Sequence, residues 1–538
     1  MPNKLLFKIH GWLGLNLGLI LFVICFSGTF ATLSNEFDWL ANSDLRIKST
    51  HEKPDWQKMK ASLDEAFPEG VNLGMYKGTY AGNEDYFATV AYILMPNNYR
   101  YKVYLNPTTG EIKGKTSFFN TQRFFRSFHR RFFDGNRGIF IVTLLSIPML
   151  VIVVVGFLFY KGWLKNLFTL RLHRKKRIKW SDTHKLAGIW SLLFALLITI
   201  TSVFYFYELI LLSVDKNDQL AMSRPDQVAT STLSKYGSSI ELKSINTYVD
   251  SALSAYPELD VHGIRLPQKA GDFVYIDGQE GNPITRDRAN FLLLDPATAE
   301  VVHKQTSSDM AAMPFIADIA DPLHFGYFGG LATKIIWFIF GLIISISILS
   351  GTYIWVIKTV KKNRKRKPDN DGFPWLRGVT VSVTITILYM LWVSFATFEG
   401  IRSYGPMPEP VTQKITANNI GYWEVEIQAA HYLNNRDQEY FEIIFPDNRL
   451  PNIREIKLLL GQNSGKDSSH LFKSRANKYQ LDIDDSLYQQ IKAVNDVTVQ
   501  VNGYDGSSYN YPLASASLLT GLKVVSEQVE RYPDVIQP

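Results

Sequence analysis

Apolar residues along this chain gather into five long runs, at residues 9–33, 137–160, 184–212, 331–357 and 376–397. Each is long enough for the roughly 20 residues that a helix needs to cross a hydrocarbon layer, so the pattern predicts five membrane helices. The segments between them are polar or alternating. Residues 35–136 predict a helix near 55–67 and strands near 86–94 and 100–105. Residues 213–330 predict a helix near 245–256 and strands near 273–276 and 290–294. After the last run, short alternating stretches such as 422–427, 440–444 and 497–501 predict a β-rich domain behind a proline-rich linker at 406–410.

The expected fold class is an α-helical membrane protein with two small α+β external inserts and a β-rich external C-terminal domain. The first helix closes at residue 34. The inserts occupy 35–136 and 213–330, basic loops occupy 161–183 and 358–375, and the last domain occupies 398–538. The first run is longer than a signal-peptide core and has an internal counterpart, so it is expected to be a retained helix.

That counterpart is part of a repeat. His10 opens the first run and His184 the third, each with a glycine four residues on, Gly14 and Gly188, and a small hydroxyl residue seventeen on, Ser27 and Thr201. His129, in SFHRRFF, lies 27 residues before Gly156; His324, in PLHFGYF, lies 27 before Gly351. The segments LNPTTGE at 105–111 and LDPATAE at 294–300 also correspond. The chain reads as an internal duplication, with a histidine helix, an external insert and a second histidine helix in each half and a four-helix core from the two.

Charge changes the picture by its location more than by its sum of +7. Both dense basic stretches, KGWLKNLFTLRLHRKKRIKW and KTVKKNRKRKP, are short loops between runs, the mark of a cytoplasmic side. The N-terminus is then inside, and both inserts and the C-terminal domain are outside. Flanking membrane helices argue against nucleic acid as a partner. The one cysteine, Cys25, permits no internal disulfide, no thiolate-held iron–sulfur cluster and no C-x-x-C-H haem attachment. No H-E-x-x-H motif and no nucleophile–base arrangement is present. The runs also lack midplane charges, Glu208 lying near an outer end, which disfavours a transporter.

With this topology His10 and His184 share the inner face, and His129 and His324 the outer. Two histidines at one depth on different helices suit axial ligation of a haem iron from opposite sides, and a partner offsets the cost of an imidazole near hydrocarbon. Glycines at i+4, Gly14 and Gly188, lie on the same helix face as the inner histidines and leave a gap for a planar ligand. Arg123, Arg126, Arg130 and Arg131 are candidates to hold propionates outside, and Lys8 and Lys185 inside. His173 sits among basic residues in a loop without a counterpart. His51, His262, His303, His431 and His470 are expected at surfaces or turns.

The opening IHGWLGL with Ser27 and Gly28, the Asn-Pro-Thr-Thr-Gly-Glu turn with its echo, and the two histidine segments together resemble the PepSY-associated transmembrane helix proteins. These include bacterial iron-regulated inner-membrane proteins and ferric-siderophore reductases. The resemblance covers roughly Lys4 to Lys358. It implies PepSY-like inserts, a four-helix core and bis-histidine binding of two b-type haems, by His10 with His184 and His129 with His324. It further implies a haem-dependent ferric-chelate or siderophore reductase in a bacterial inner membrane. The fifth run and the last domain lie outside the resemblance. No nicotinamide or flavodoxin-like region follows, so the electron donor is expected to be quinol or a cytoplasmic flavoprotein. The alternative is a regulatory or binding protein without redox activity.

Overall fold

A computed structural model describes residues 2–48, 52–78, 85–95, 99–171, 175–214, 225, 227–236, 238–364, 374–402, 410–432, 438–445, 450–461, 469–475 and 478–531. Among them five helices are long and apolar enough to span a membrane: Lys4–Thr32, Gly135–Phe159, Leu192–Ser213, Gly330–Trp355 and Thr384–Arg402. The second is two helical pieces, Gly135–Leu144 and Ser146–Phe159, meeting at Leu145. The third continues from a preceding helix, Lys176–Trp190, which carries His184 and ends at Ser191. The first four spans form a bundle. The first packs on the second and fourth, the fourth on Lys176–Trp190, and Ser146–Phe159 on Leu192–Ser213.

The two inserts do not stand apart. Strands β1 (Val71–Tyr76), β2 (Thr89–Leu94), β3 (Arg100–Leu105) and β4 (Ile112–Ser117) come from the first. The second supplies a short β5 (Ser239–Ile240), then β6 (Asp260–Arg265), β7 (Val274–Gln279), β8 (Asn290–Leu294) and β9 (Val301–Gln305). All but β5 join one antiparallel eight-stranded sheet in the order β4-β3-β2-β1-β6-β7-β8-β9. The seam is β1 against β6, with Met75 opposite Ile264 and Tyr76 opposite Gly263. Helices Trp56–Ala66 and Ile245–Ala255 cover one face, and Met59, Leu63, Tyr248 and Ala252 enter a common core with Val103, Ile276 and Leu292. The inward side chains recur at helical spacing, and their burial supplies most of the drive to assemble the layer.

The corresponding turns are built alike. Asn106 Oδ1 accepts from the Thr108 and Thr109 amides, and Asp295 Oδ1 from those of Ala297 and Thr298. Gly110 takes a left-handed φ of 74°, and Ala299 takes 64° at the same place, so the turn geometry persists where glycine is absent.

The C-terminal domain has a five-stranded and a four-stranded antiparallel sheet. Helices Asp485–Lys492 and Ser515–Arg531 contribute Leu487, Ile491, Leu518, Leu522 and Val525 to its core. It docks on the second insert: Leu450 pairs with Ile240 and Pro451 with Ser239, and the Trp423 indole donates to the Ser238 carbonyl at 2.7 Å. Most of the linker expected at 406–410, and the 365–373 part of the second basic loop, lie outside the described residues.

Candidate functional site

The four repeated histidines meet in two pairs. The ring centres of His10 and His184 are 6.0 Å apart with planes inclined at 55°, and those of His129 and His324 are 6.2 Å apart at 32°. Each ring is anchored through Nδ1. His10 donates to the Ile152 carbonyl at 3.0 Å, His184 to the Ser347 carbonyl at 2.8 Å and His129 to the Ile24 carbonyl at 2.9 Å. His324 meets the Thr201 hydroxyl at 2.8 Å. A carbonyl only accepts, so the ring proton sits on Nδ1 and Nε2 keeps a bare lone pair, the form that ligates a metal.

Glycine lets the helices come this close. A Cβ on Gly156 would lie 3.0 Å from His10 Cε1, on Gly351 2.8 Å from His184 Cε1, and on Gly28 2.6 Å from His129 Cε1. Gly156 and Gly351 are the two glycines 27 residues beyond the outer histidines, so that spacing brings each inner histidine against the second membrane helix of its own half. Beside Gly14 an added Cβ meets nothing within 4 Å, and beside Gly188 the nearest atom is Ser347 Oγ at 3.6 Å. Space therefore remains next to both inner rings.

The short helices carrying the outer histidines are held by buried aspartates. Helix Thr121–Arg131 starts at Asn120, whose side chain accepts from the Arg123 amide. Asp38, on the short helix Ser34–Ala41 that follows the first span, accepts from the Thr121 and Gln122 amides at 2.9 and 3.0 Å. Helix Ala312–Phe325 is clamped by the second insert. Arg286 bonds Asp318 at 3.1 Å, Asp321 at 2.7 Å and the Ala317 carbonyl at 2.6 Å, and Arg288 reaches Asp318 at 2.9 Å. Asp321 also accepts from Tyr205, whose ring meets His324 edge-on at 5.3 Å.

Directly after His129 the chain turns into the second span through Phe132 and Phe133, both at left-handed φ, 51° and 56°. Such backbone is costly for a bulky residue and persists only where packing over-determines it. The fifth membrane helix supplies that packing. Phe132 is fully buried with Ile20 and Val393, the Trp392 indole donates to Asp134 at 3.0 Å, and Gly400 lies against Phe133.

Of the arginines named from sequence, Arg126 sits over the Phe325 ring at 5.7 Å, beside His324, and Arg123 over Phe118 at 4.7 Å. Arg130 is exposed. Lys8 is exposed, and Lys185 lies 5.4 Å from the Tyr160 ring centre. A cleft lined by Thr32, Gln122, Arg126, Phe325, Tyr327 and Lys334 opens next to the outer pair. Lys334 is buried and paired with Glu36 at 2.5 Å. Sequence reasoning missed this pair; its signal was a lone lysine inside an apolar run.

Two surface expectations are corrected. His262 is buried in β6, its ring nitrogens 3.0 Å from Asp260 and 3.3 Å from Asp287, and His431 is buried in strand Trp423–Tyr432. Both strands are buried on both faces at these positions, with Val261–Ile264 buried in the one and Ile427–Tyr432 in the other, so either side-chain direction is enclosed. His51 and His173 lie outside the described residues.

The pairs can be tested as metal ligands by distance alone. Two metal–imidazole bonds of about 2 Å, plus a little over about 1 Å from nitrogen to ring centre on each side, give ring centres about 6 Å apart, as in both pairs. Among the described residues no group of three or more His, Cys, Asp or Glu could hold an ion. Two facing imidazoles with no third protein ligand suit a metal that brings its own equatorial ligands, as a tetrapyrrole does.

A model of the PepSY-associated TM region matches residues 7–358. The chain belongs to the PepSY-associated TM family. As a member it is a multi-pass membrane protein, and the matched region runs from just before the first histidine to the end of the fourth span. The fifth helix that braces the turn after His129, and the C-terminal domain docked on the second insert, lie beyond it. No match is found among the curated proteins.

Proposed function

We propose that this PepSY-associated TM protein is a two-haem electron conduit of a bacterial inner membrane that reduces a ferric chelate, such as a siderophore complex, on the external face. The carrying observation is the presence of two imidazole pairs at ligating separation, each ring anchored at Nδ1, with Nε2 bare in the three that face carbonyls and the hydroxyl partner of His324 allowing the same form. His10 with His184 would hold the inner haem and His129 with His324 the outer, in a core that arose by duplication and carries PepSY-like inserts. On helix Pro2–Thr32 the two levels, at His10 and Ile24, are 14 residues apart, about 21 Å along the axis. Bound haem would supply reversible one-electron chemistry between Fe(III) and Fe(II).

The chain's own residues orient and insulate. Gly28, Gly156 and Gly351 let the rings seat, and apolar helices keep water from the ligating nitrogens. Arg126 puts positive charge beside the outer pair, which favours propionates and the approach of an anionic chelate, while the charge of Lys334 is met by Glu36. A quinol gives up two electrons and two protons on the inner side, or a reduced flavoprotein supplies the electrons there. Two ferric chelates each take one electron outside. The resulting Fe(II) carries less charge and is held less tightly by hard oxygen ligands, so it is released.

The test is to reduce purified protein with dithionite, remove the excess, and add ferric chelates without oxygen. Rapid haem reoxidation with one Fe(II) per electron supports the reading. A reduced protein that ignores every chelate yet binds an external protein tightly supports a regulatory role for the inserts instead.

A further inference from the structure

The four anchors are not equivalent. Three histidines give Nδ1–H to a backbone carbonyl, but His324 gives it to a hydroxyl, Thr201 Oγ1. The carbonyls of Leu197 and Ile198, at 2.9 and 3.0 Å, can take that hydroxyl's single proton, so with His324 Nε2 as a ligand and its proton on Nδ1 the hydroxyl accepts from the imidazole. The first half solves the same problem differently. Ser27, at the position of Thr201, donates to the Ile24 carbonyl at 3.0 Å, and that carbonyl also accepts from His129. Both outer rings therefore face weakened acceptors, a hydroxyl for His324 and a shared carbonyl for His129. Of the inner rings, only His184 shares its acceptor, with Ser350; no side chain among the described residues shares the Ile152 carbonyl with His10.

Acceptor strength at Nδ1 sets how much negative charge the ring carries to Nε2. A strong acceptor makes the imidazole a better donor and stabilises the more highly charged metal state; a weak acceptor does the reverse. We infer that Thr201, aided by Ser27, tunes the outer pair to a higher reduction potential than the inner pair, so that transfer from the inner to the outer face runs downhill. Thr201 is a positioning residue, acting through His324. The inference rests on the two-haem reading.

The test is a redox titration of the purified full chain, in which the outer couple is the one lost on His129→Ala. In the unaltered protein the outer couple is expected to be the higher. Thr201→Val removes the acceptor while keeping the shape, and is expected to raise the outer potential further; Thr201→Ser is expected to restore it. Ser27→Ala returns the full Ile24 carbonyl to His129 and is expected to lower the same potential, which keeps the idea testable should Thr201→Val fail to fold. An outer couple unmoved or lowered in Thr201→Val, or unmoved in Ser27→Ala, with both haems present, overturns this inference alone. A purified protein without haem overturns the two-haem reading and this inference together, and the haem-to-protein ratio of the same sample separates the two cases.

Discussion

A histidine can serve as an axial ligand when one ring nitrogen is fixed and the other is left bare. His10, His184 and His129 meet that condition through carbonyls of neighbouring helices, and His324 through a threonine hydroxyl. On the two-haem reading, replacing one member of a pair would remove one of the two protein ligands of its haem. His129→Ala and His184→Ala are each expected to remove or convert about half of the haem, because low-spin binding needs both ligands. Unchanged spectra and haem-to-protein ratios in both variants would sink the assignment. Much at this scale was legible before any fold was known. The spacing of 27 residues picks out the glycines that now sit against His10 and His184, and the spacing of seventeen picks out Ser27 and Thr201. The use of each residue was not legible, since only helix packing decides which carbonyl a ring meets. Lys334 was passed over for a related reason: its partner Glu36 lies 298 positions away, and no local pattern encodes so distant a pair.

Secondary elements carry the site by holding the outer histidine helices from the external side. Asp318 is fully buried between Arg286 and Arg288. Asp318→Ala removes the carboxylate they share, although Arg286 keeps Asp321 and Arg288 is half exposed. The lost charge-assisted bonds are expected to cost about 1.5–3 kcal/mol, read as a lower midpoint of thermal unfolding and, on the two-haem reading, a loosened outer haem with the inner haem retained. A midpoint within experimental error of the parent would show the clamp to be dispensable. At the seam between the inserts, burial works against a charged His262, but hydrogen bonds to Asp260 and Asp287 outweigh it and push the ring up to about 9. Its charge is thus favoured in the fold. That contribution is complete below about pH 6.5, the unfolded value, and is lost as pH rises through 9. Asp277, raised to about 6 by burial, acts in the same direction but at lower pH, its contribution being lost as pH rises from the ordinary carboxylate range through 6. Asp260, held near 2 chiefly by its bond to His262, matters only in acid, where its contribution disappears as pH falls through 2. Unfolding midpoints of the inserts should therefore drop between pH 6.5 and 9, and His262→Asn should flatten that slope; an equally steep slope in the variant would assign it elsewhere. The helices and several strands of the inserts followed from periodicity. The seam did not, because β1 and β6 belong to segments separated by two membrane helices and a register is set by partners the chain order hides.

At the scale of the whole molecule, sidedness follows from which parts touch. The two inserts share one sheet through β1 and β6, so the second and third spans must both cross and bring the chain back to the same side. The C-terminal domain pairs with the second insert through β5 and Leu450–Pro451, so the fourth and fifth spans must cross as well. Five crossings would put the start of the first helix and the C-terminal domain on opposite sides, with the fifth helix a span as well as a brace for the turn after His129. Which side is which rests on charge: the sequences at 161–183 and 358–375 are dense in lysine and arginine, and the positive-inside tendency then predicts that they face the cytoplasm. In a Cys25→Ser background, cysteines introduced at Ser254 of the second insert and Ser486 of the C-terminal domain, both exposed, are expected to react with an impermeant thiol reagent in intact spheroplasts. A cysteine at Lys165, exposed on the loop after the second span, is expected to react only after lysis. Labelling of Lys165→Cys alone in intact cells would invert the protein in the membrane. The pair formed by His129 and His324 would then face the cytoplasm, and reduction of an external chelate would have to start from the pair formed by His10 and His184. Labelling at Ser254 without labelling at Ser486 would break the parity argument itself, since the fifth helix could not then cross and the pairing of β5 with Leu450–Pro451 could not form.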